Sequence, residues 1–464
     1  MADRPRRGRG RSPERPPLPR GFGVIWTTVA IDLVGFGIVL PILPQYAEDF
    51  GAGAALIGIL SASFSLAQLL FAPVWGRLSD RYGRKPILLL SLFGTALGSL
   101  LTGIAGAVWI LFVGRILDGI SGASVSVAQA AVGDVSPPSQ RPRLMGLLGA
   151  AFGVGFVAGP AIGALAALGG RHVPFFVAAA IATVNGLIAI RRLPETSKGV
   201  AGHPLAEPEV VAARAEEFAA IEAAVADHRS ERSAAARDAE WIASEPALDG
   251  PGLVEPAHLE RPEPGEDPQR RAIVRLIVVA FVAMVAFSGF EATFSLLVED
   301  RFGLTLASTS AVFAGIGVVL VLVQVGLVHP VALWLGESGT LRLGLVANGI
   351  GLALLALDLG WVGLVAALVV LTVGQGLLTP TLSSAVSGRA GRRRGQWLGW
   401  QQSAGGLARV VGPVLAGSLF EFTGVGAPYV AGAVLAAAAL AMVPGGGTRP
   451  GLAASPAEGA APPV

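Results

Sequence analysis

Apolar runs of roughly twenty residues alternate along this chain with short polar or charged breaks. They fall near Phe22–Leu43, Ala52–Trp75, Ile87–Ala105, Ala107–Ala130, Arg143–Leu168 and Val173–Ile190, and then near Ala272–Leu297, Thr305–Trp334, Thr340–Leu357, Trp361–Val386, Gln396–Phe420 and Gly426–Val443. A membrane-crossing helix needs about 17–25 mostly apolar residues. The pattern therefore predicts an all-α membrane protein of twelve transmembrane helices in two pseudo-symmetric six-helix bundles. It also divides the chain into a disordered tail over 1–20, a first bundle over 21–190, a linker over 191–271, a second bundle over 272–444 and a disordered tail over 445–464. The Arg/Pro-rich start is too polar to fold by itself, and the apolar run behind it is too long for a cleavable leader. Within the linker, Val211, Ala215, Phe218, Ile221 and Val225 form a narrow helical stripe.

The polar breaks carry topology. Between the second and third runs lies Gly76-Arg77-Leu78-Ser79-Asp80-Arg81-Tyr82-Gly83-Arg84-Lys85-Pro86, a charged, glycine-broken turn. Lys and Arg concentrate in loops that stay cytoplasmic. Arg77, Arg81, Arg84, Lys85, Arg141, Arg143, Arg191, Arg192, Lys198, Arg389 and Arg392–Arg394 all follow even-numbered spans, and Glu48, Asp49, Glu299, Asp300 and Asp358 lie in the alternate loops. Both termini are expected in the cytoplasm, with the protein in the plasma (inner) membrane. Only Arg171 and Arg301 oppose this count.

The halves repeat. An offset of 253 residues carries Gly83 to Gly336, Gly98 to Gly351, Arg141 to Arg394, Gly146 to Gly399, Gly153 to Gly406 and Gly159-Pro160 to Gly412-Pro413. Two homologous halves around a midplane site are a transporter architecture. The copy of the charged turn at Leu335–Leu341 keeps Gly336 but has Glu337, Ser338 and Gly339 in place of the basic cluster, so any latch there is expected mainly in the first half.

Composition narrows the chemistry. Hydrophobic residues make up 53% of the 464 and charged residues only 14%, against about 25% charged in soluble domains. The absence of cysteine removes thiolate metal sites and thiol nucleophiles, and the five histidines show no ligand spacing, so no metal site is expected. There is no phosphate-binding glycine loop, channel filter or serine-nucleophile motif. The expectation is a non-enzyme with no cofactor, acting on small molecules in contact with lipid, without nucleic acid, as a monomer.

Charges inside a span are costly, about 2.5–3.5 kcal/mol each at the helix centre, and so become functional candidates. Five stand out: Asp32, Arg115, Asp118, Glu291 and Arg409. Asp32 lies near the middle of span one, where a carboxyl is either a proton carrier or a simple buried, hydrogen-bonded acid. Arg115 and Asp118 are three apart on one helical face; they either share in proton coupling or only neutralise each other. Glu291 and Arg409, with the polar Gln129, Gln324 and Asn348, are candidates for a substrate cavity; Gln68, Gln375, Gln402 and Asn185 are weaker ones.

Several motifs together resemble the major facilitator superfamily, and within it the twelve-span drug:proton antiporter branch. The turn at Gly76–Lys85 matches the pattern G-x-L-x-D-R-x-G-R-K. Span one carries Gly35, five residues, then Pro41-Ile-Leu-Pro44, and span four carries Arg115-Ile-Leu-Asp118-Gly119-Ile-Ser-Gly122-Ala123. Span five carries Gly146, Gly155, Gly159-Pro160 and Gly163, with Ala164 in place of a final glycine. The resemblance implies a cytoplasmic latch formed by Gly76, Asp80, Arg81, Gly83, Arg84 and Lys85, in which Asp80 faces the N-terminal end of span eleven and Arg84 pairs with Asp134. By themselves, Ala151, Gly155, Gly159, Gly163 and Ala167 make a small-residue ladder for close helix contact, bent at Pro160. With Gly412 and Pro413 in the second half, they are expected to pack and hinge where the halves meet. The stretch Asp134–Pro160 looks most like tetracycline exporters. Those carry acids within spans three and nine, where this chain has Gly98 and Asn348, and Asp118 stands where a small polar residue is usual; metal–tetracycline recognition is therefore not implied, while proton coupling is. The implied function is proton-driven export of small amphipathic organic compounds. A proton-coupled importer and a non-transporting receptor or scaffold are the alternatives.

Overall fold

The computed structural model describes residues 18–19, 21–122, 124–137, 140–197 and 268–443; most of the N-terminal tail, the 211–225 stripe and the C-terminal tail lie outside the described residues. Within these, the regular structure is helical. The first half holds α1 (Phe22–Glu48), α2 (Ala54–Tyr82), α3 (Arg84–Gly103), α4 (Val108–Ser121), α5 (Ser124–Val135), α6 (Arg141–Ala167) and α7 (Val173–Arg192). The second holds α8 (Pro268–Phe302), α9 (Leu306–Leu322), α10 (Val328–Ala356), α11 (Gly360–Arg389), α12 (Arg394–Phe422) and α13 (Ala427–Met442). Ten helical runs are long and apolar enough to cross a membrane, one of them the 51-residue stretch Leu306–Ala356, and Ala427–Met442 is a shorter apolar helix. That long stretch makes two crossings, because Gly336 (φ 70°, ψ 176°) breaks it. The described residues thus make twelve crossings.

Two spans differ in form from the sequence expectation, each for a local reason. Span four is broken, with α4 ending at Ser121 and α5 starting at Ser124. A helix break frees backbone carbonyls, which cannot stay unpaired at membrane depth. Here Trp75 Nε1 donates to Ile120 O (2.5 Å), Gln68 Nε2 to Gly122 O (3.0 Å) and Ser91 Oγ to Ser121 O. Side chains of α2 and α3 thus replace the helix's own donors. In span eight, a π-helical turn at Val323–Leu327 joins α9 to α10, a deviation that recurs at functional sites.

Successive crossings run in opposite directions, which gives the bundle a Gly83 end and a Glu48 end. The cores differ between them. At the Gly83 end, Ile25, Leu88, Val132 and Leu148 form one buried cluster inside the first half, and Leu276, Leu345, Leu382 and Val386 form another inside the second. At the Glu48 end, Ile38, Ile42, Tyr46, Ile57 and Phe175 share a single cluster with Leu296 and Leu306 of the second half. The two halves therefore share an apolar core near Glu48 and keep separate cores near Gly83. Many large apolar side chains remain outward-facing, among them Leu70, Leu165, Trp334 and Val362. In a chain with so many spans that face meets lipid.

Candidate functional site

Asp32 lies on α1, ten positions after Phe22, within the first half. Ser124, the first residue of α5, donates its hydroxyl to Asp32 Oδ2 at 2.5 Å; the break in span four places it there. Asp32 Oδ1 is buried and has no hydrogen-bond partner among the described residues. Beside it, Arg115 and Asp118 form a buried ion pair on α4. The Arg115 guanidinium also lies over the Phe64 ring of α2, 4.5 Å from its centre, a geometry in which the ring face attracts the cation. Phe64 in turn packs on Phe36 of α1 at 5.5 Å. Four helices therefore bring one carboxylate, one ion pair and two aromatic rings together. The arrangement sets a carboxyl whose Oδ1 has no partner among the described residues next to a buried, paired guanidinium.

The structure also explains a sequence anomaly. A Cβ built on Gly98 of α3 would lie 2.9 Å from Asp118 Cβ and 2.8 Å from Gly114 O of α4. The acid on α4 occupies the space a side chain on α3 would need, so the glycine and the aspartate are two aspects of one contact.

In the second half, Glu291 lies on α8 and Arg409 on α12. Arg409 is exposed, as are Gln129 on α5 and Gln324 in the π-helical turn. Asn348 is different. It is buried and donates from Nδ2 to Gln375 Oε1 at 3.2 Å, in the tight contact between α10 and α11. The Asn348 amide thus joins two helices.

The glycine ladder is corrected. Side chains at Gly155 and Gly159 would strike Leu33 and Gly37 of α1, and Gly163 faces Ile38 and Ile42. Gly412 likewise meets Val285, Ser288 and Gly289 of α8. The ladders thus hold helices inside each half. Contact between halves is made where Gly317 of α9 approaches Phe156 O and where Gly58 of α2 approaches the carbonyl of Pro413, one of the expected positions. Period-four glycines reveal that a face is smooth, not which helix it meets.

At the charged turn, Gly83 takes φ 102°, ψ 158°, a backbone conformation essentially reserved for glycine. It lets α3 begin one residue after α2 ends. Arg84 is buried; it reaches Asp134 of α5 at 3.0 Å and Asp80 at 2.6 Å, and donates to Ser79 Oγ at 2.6 Å. Asp80 itself is 67% exposed and turned to Arg84. Arg81 lies beside the Tyr82 ring, and a side chain at Gly76 would meet open space. The first-turn amides of α3, from Arg84 and Lys85, donate to the Glu195 carboxylate at 2.8 and 3.1 Å, where an anion complements the helix dipole. Glu195 was not singled out in the sequence, although an acid directly after span six opposes the positive trend of that loop. The second half also has an ion pair at this level, Glu337–Arg389.

Comparison with known proteins agrees with this architecture. Residues 25–357 match the sequence profile of the Major Facilitator Superfamily. A class E tetracycline resistance protein of Escherichia coli is 30% identical over 403 residues, covering 85% of this chain and 86% of the relative. A class B tetracycline resistance protein, also of Escherichia coli, is 42% identical over 169 residues, covering 36% of this chain and only 42% of the relative. Multidrug resistance protein 2 of Bacillus subtilis is 26% identical over 401 residues, covering 86% of this chain and 88% of the relative. Among solved structures, the human organic anion transporter MFSD10 superposes with a TM-score of 0.62 at 24% identity, covering 93% of this chain and all of that one. Likeness at that identity speaks to fold alone. Profile, repeat and helical architecture agree, and the chain belongs to the Major Facilitator Superfamily.

Proposed function

We propose that this protein is a proton-coupled secondary transporter that exports small amphipathic organic compounds, drugs among them, by alternating access. The observation that carries the reading is the Asp32 carboxyl inside a membrane span, held by Ser124 and set beside the Arg115–Asp118 pair. A buried acid with one free oxygen can exchange a proton, and the neighbouring pair changes its electrostatics as that proton comes and goes. The similarity to tetracycline and multidrug resistance proteins over most of the chain supports export of organic compounds. Exposed Arg409, with Glu291, Gln324 and Gln129, supplies polar contacts for a substrate that enters from the Gly83 end. In this reading that end is cytoplasmic, as its Lys and Arg excess requires, both termini lie there, and the monomer is the working unit. Residues 21–190 and 272–444 form the moving halves, joined by the 191–271 linker. A membrane potential of 100 mV adds about 2.3 kcal/mol per charge to the proton's drive.

The test uses purified protein in liposomes with an internal pH dye and a panel of cationic and zwitterionic drugs. Substrate addition is expected to trigger proton movement, and Asp32→Asn is expected to abolish it while insertion and the thermal unfolding midpoint stay close to those of the parent. Unchanged coupling in Asp32→Asn removes Asp32 from the mechanism; no proton movement with any compound removes the exporter reading.

A further inference from the structure

The Pro41-Ile-Leu-Pro44 motif of α1 has no part in the proton cluster, and the residue after it has no assigned role. Gln45 is 3% exposed. Its amide nitrogen faces three acceptors of the opposite half: Ser295 O at 3.2 Å, Leu304 O at 3.3 Å and Thr309 Oγ1 at 3.2 Å. Ser295 returns the contact, donating its hydroxyl to Pro41 O at 2.9 Å. Four polar contacts between α1, α8 and the start of α9 thus cross the interface within one turn of α1, inside the shared core at the Glu48 end. Nearby, Glu421 of α12 accepts from Ala55 N in the first turn of α2 at 2.7 Å, a second link between halves at the same end. The repeat does not duplicate Gln45: its equivalent is the buried Val298.

We propose that Gln45 is the donor of an interhalf lock that holds the Glu48 end shut, a positioning residue for alternating access; the proposal rests on the transport reading above. The physical argument concerns what each state does with the same groups. With the end shut and dry, the two N–H groups of the amide are shared among the three acceptors, and separating them without water would leave buried polar groups unpaired. With the end open, water replaces every partner. The bonds thus oppose partial separation and cost little once the end is fully open, which makes a two-state switch and not a graded one. Gln45 Oε1 is itself buried without a partner among the described residues, so the side chain is held by what its nitrogen donates.

The native chain contains no cysteine, so single reporters are clean. Ser310, fully buried one residue beyond Thr309, is replaced by cysteine as the Glu48-end reporter, and Gly146→Cys reports on the Gly83 end, where an added side chain meets open space. Maleimide labelling rates are measured in the full-length protein in liposomes without substrate. Gln45→Leu, which keeps bulk and removes the donor, is expected to speed Ser310→Cys labelling on the order of tenfold, the effect of about 1.4 kcal/mol, and to leave or slow labelling at Gly146→Cys. Thr309→Val, which removes one acceptor, is expected to give a smaller increase, and it keeps the proposal testable should Gln45→Leu fail to fold. Unchanged Ser310→Cys labelling in both variants, or equal acceleration at both reporters, overturns the lock. Because labelling needs neither substrate nor proton flow, its result stands apart from the liposome export assay.

Discussion

The two halves of this protein share a backbone plan and differ in chemistry at matching positions. Gly98 in the first half and Gly351 in the second are repeat equivalents, and each marks a place where two helices touch too closely for a side chain. What each glycine meets is also equivalent in position: Asp118 in the first half, Leu371 in the second. The same offset takes Arg115 to Leu368 and Asp32 to Val285. The contact is retained while an ion pair on one side becomes two leucines on the other. Conversely, Glu291 and Arg409 of the second half correspond to Ile38 and Phe156 of the first. Each half therefore carries its intramembrane charge where the other is apolar. Fold symmetry sets where helices touch; it does not set where the charges sit.

The turns at the Gly83 end repeat the lesson. Arg84 and Glu337 are equivalent residues directly after equivalent glycines, and each forms an ion pair with the end of a neighbouring helix, Arg84 with Asp134 and Glu337 with Arg389. The charges are reversed. The first pair is the more buried, its side chains 10% and 24% exposed against 34% for both members of the second. The superfamily-like turn is thus a tightly held version of a geometry that both halves use.

The largest expected effect comes from making the first half resemble the second. Asp118→Leu leaves Arg115 buried without its partner, which typically costs 3–5 kcal/mol; a strongly lowered thermal midpoint in detergent and loss of proton-linked transport are expected. The double variant Arg115→Leu/Asp118→Leu removes both charges and should recover most of the midpoint while transport stays lost. Recovery of transport along with stability would show that the pair is only structural.

Next come the turns. Arg84→Ala should lower stability by about 2 kcal/mol, because the partly buried Asp134 loses its cation. Glu337→Ala should cost under about 1 kcal/mol, as for exposed pairs. Equal losses in denaturant or thermal melts would contradict the burial difference. The glycines give a finer contrast. Gly83→Ala and Gly336→Ala both meet an unfavourable positive φ, at about 1–3 kcal/mol, but only at Gly83 does the new Cβ also strike the Glu195 carboxylate, at 2.4 Å. Gly83→Ala is therefore expected to be worse, and the additional Glu195→Ala should not restore it, since it also removes the cap on α3.

Much of this was legible in advance. The span positions, the turn at Gly83 and the five intramembrane charges follow from residues close together in the chain, and the internal repeat from a constant offset along it. Other features were not. The break in span four was hidden because no proline or charge adjoins Gly122, and only the donors from Gln68, Trp75 and Ser91 show how its carbonyls are satisfied. The glycine ladder was legible as a smooth face, but its neighbour proved to be α1 and not the other half. Asn348 was legible as a polar residue in a span, but Gln375 makes it a helix–helix bond. Glu195, Ser124 and Gln45 carry no motif of their own.

The sequence alone determined the number of crossings, the two-fold repeat and the kinship with a transporter superfamily. These rest on local quantities: a run long enough for the hydrocarbon core, a charge that cannot cross it, and a residue pattern that recurs at a fixed offset. Tertiary structure alone decided that Asp118 fills the space beside Gly98, that Ser124 holds Asp32, and that Gln45 reaches three acceptors in the opposite half. Those outcomes depend on how each helix is rotated about its axis and which neighbour it meets. A nearly uniform apolar surface does not encode that rotation one helix at a time; it emerges when all the helices pack together.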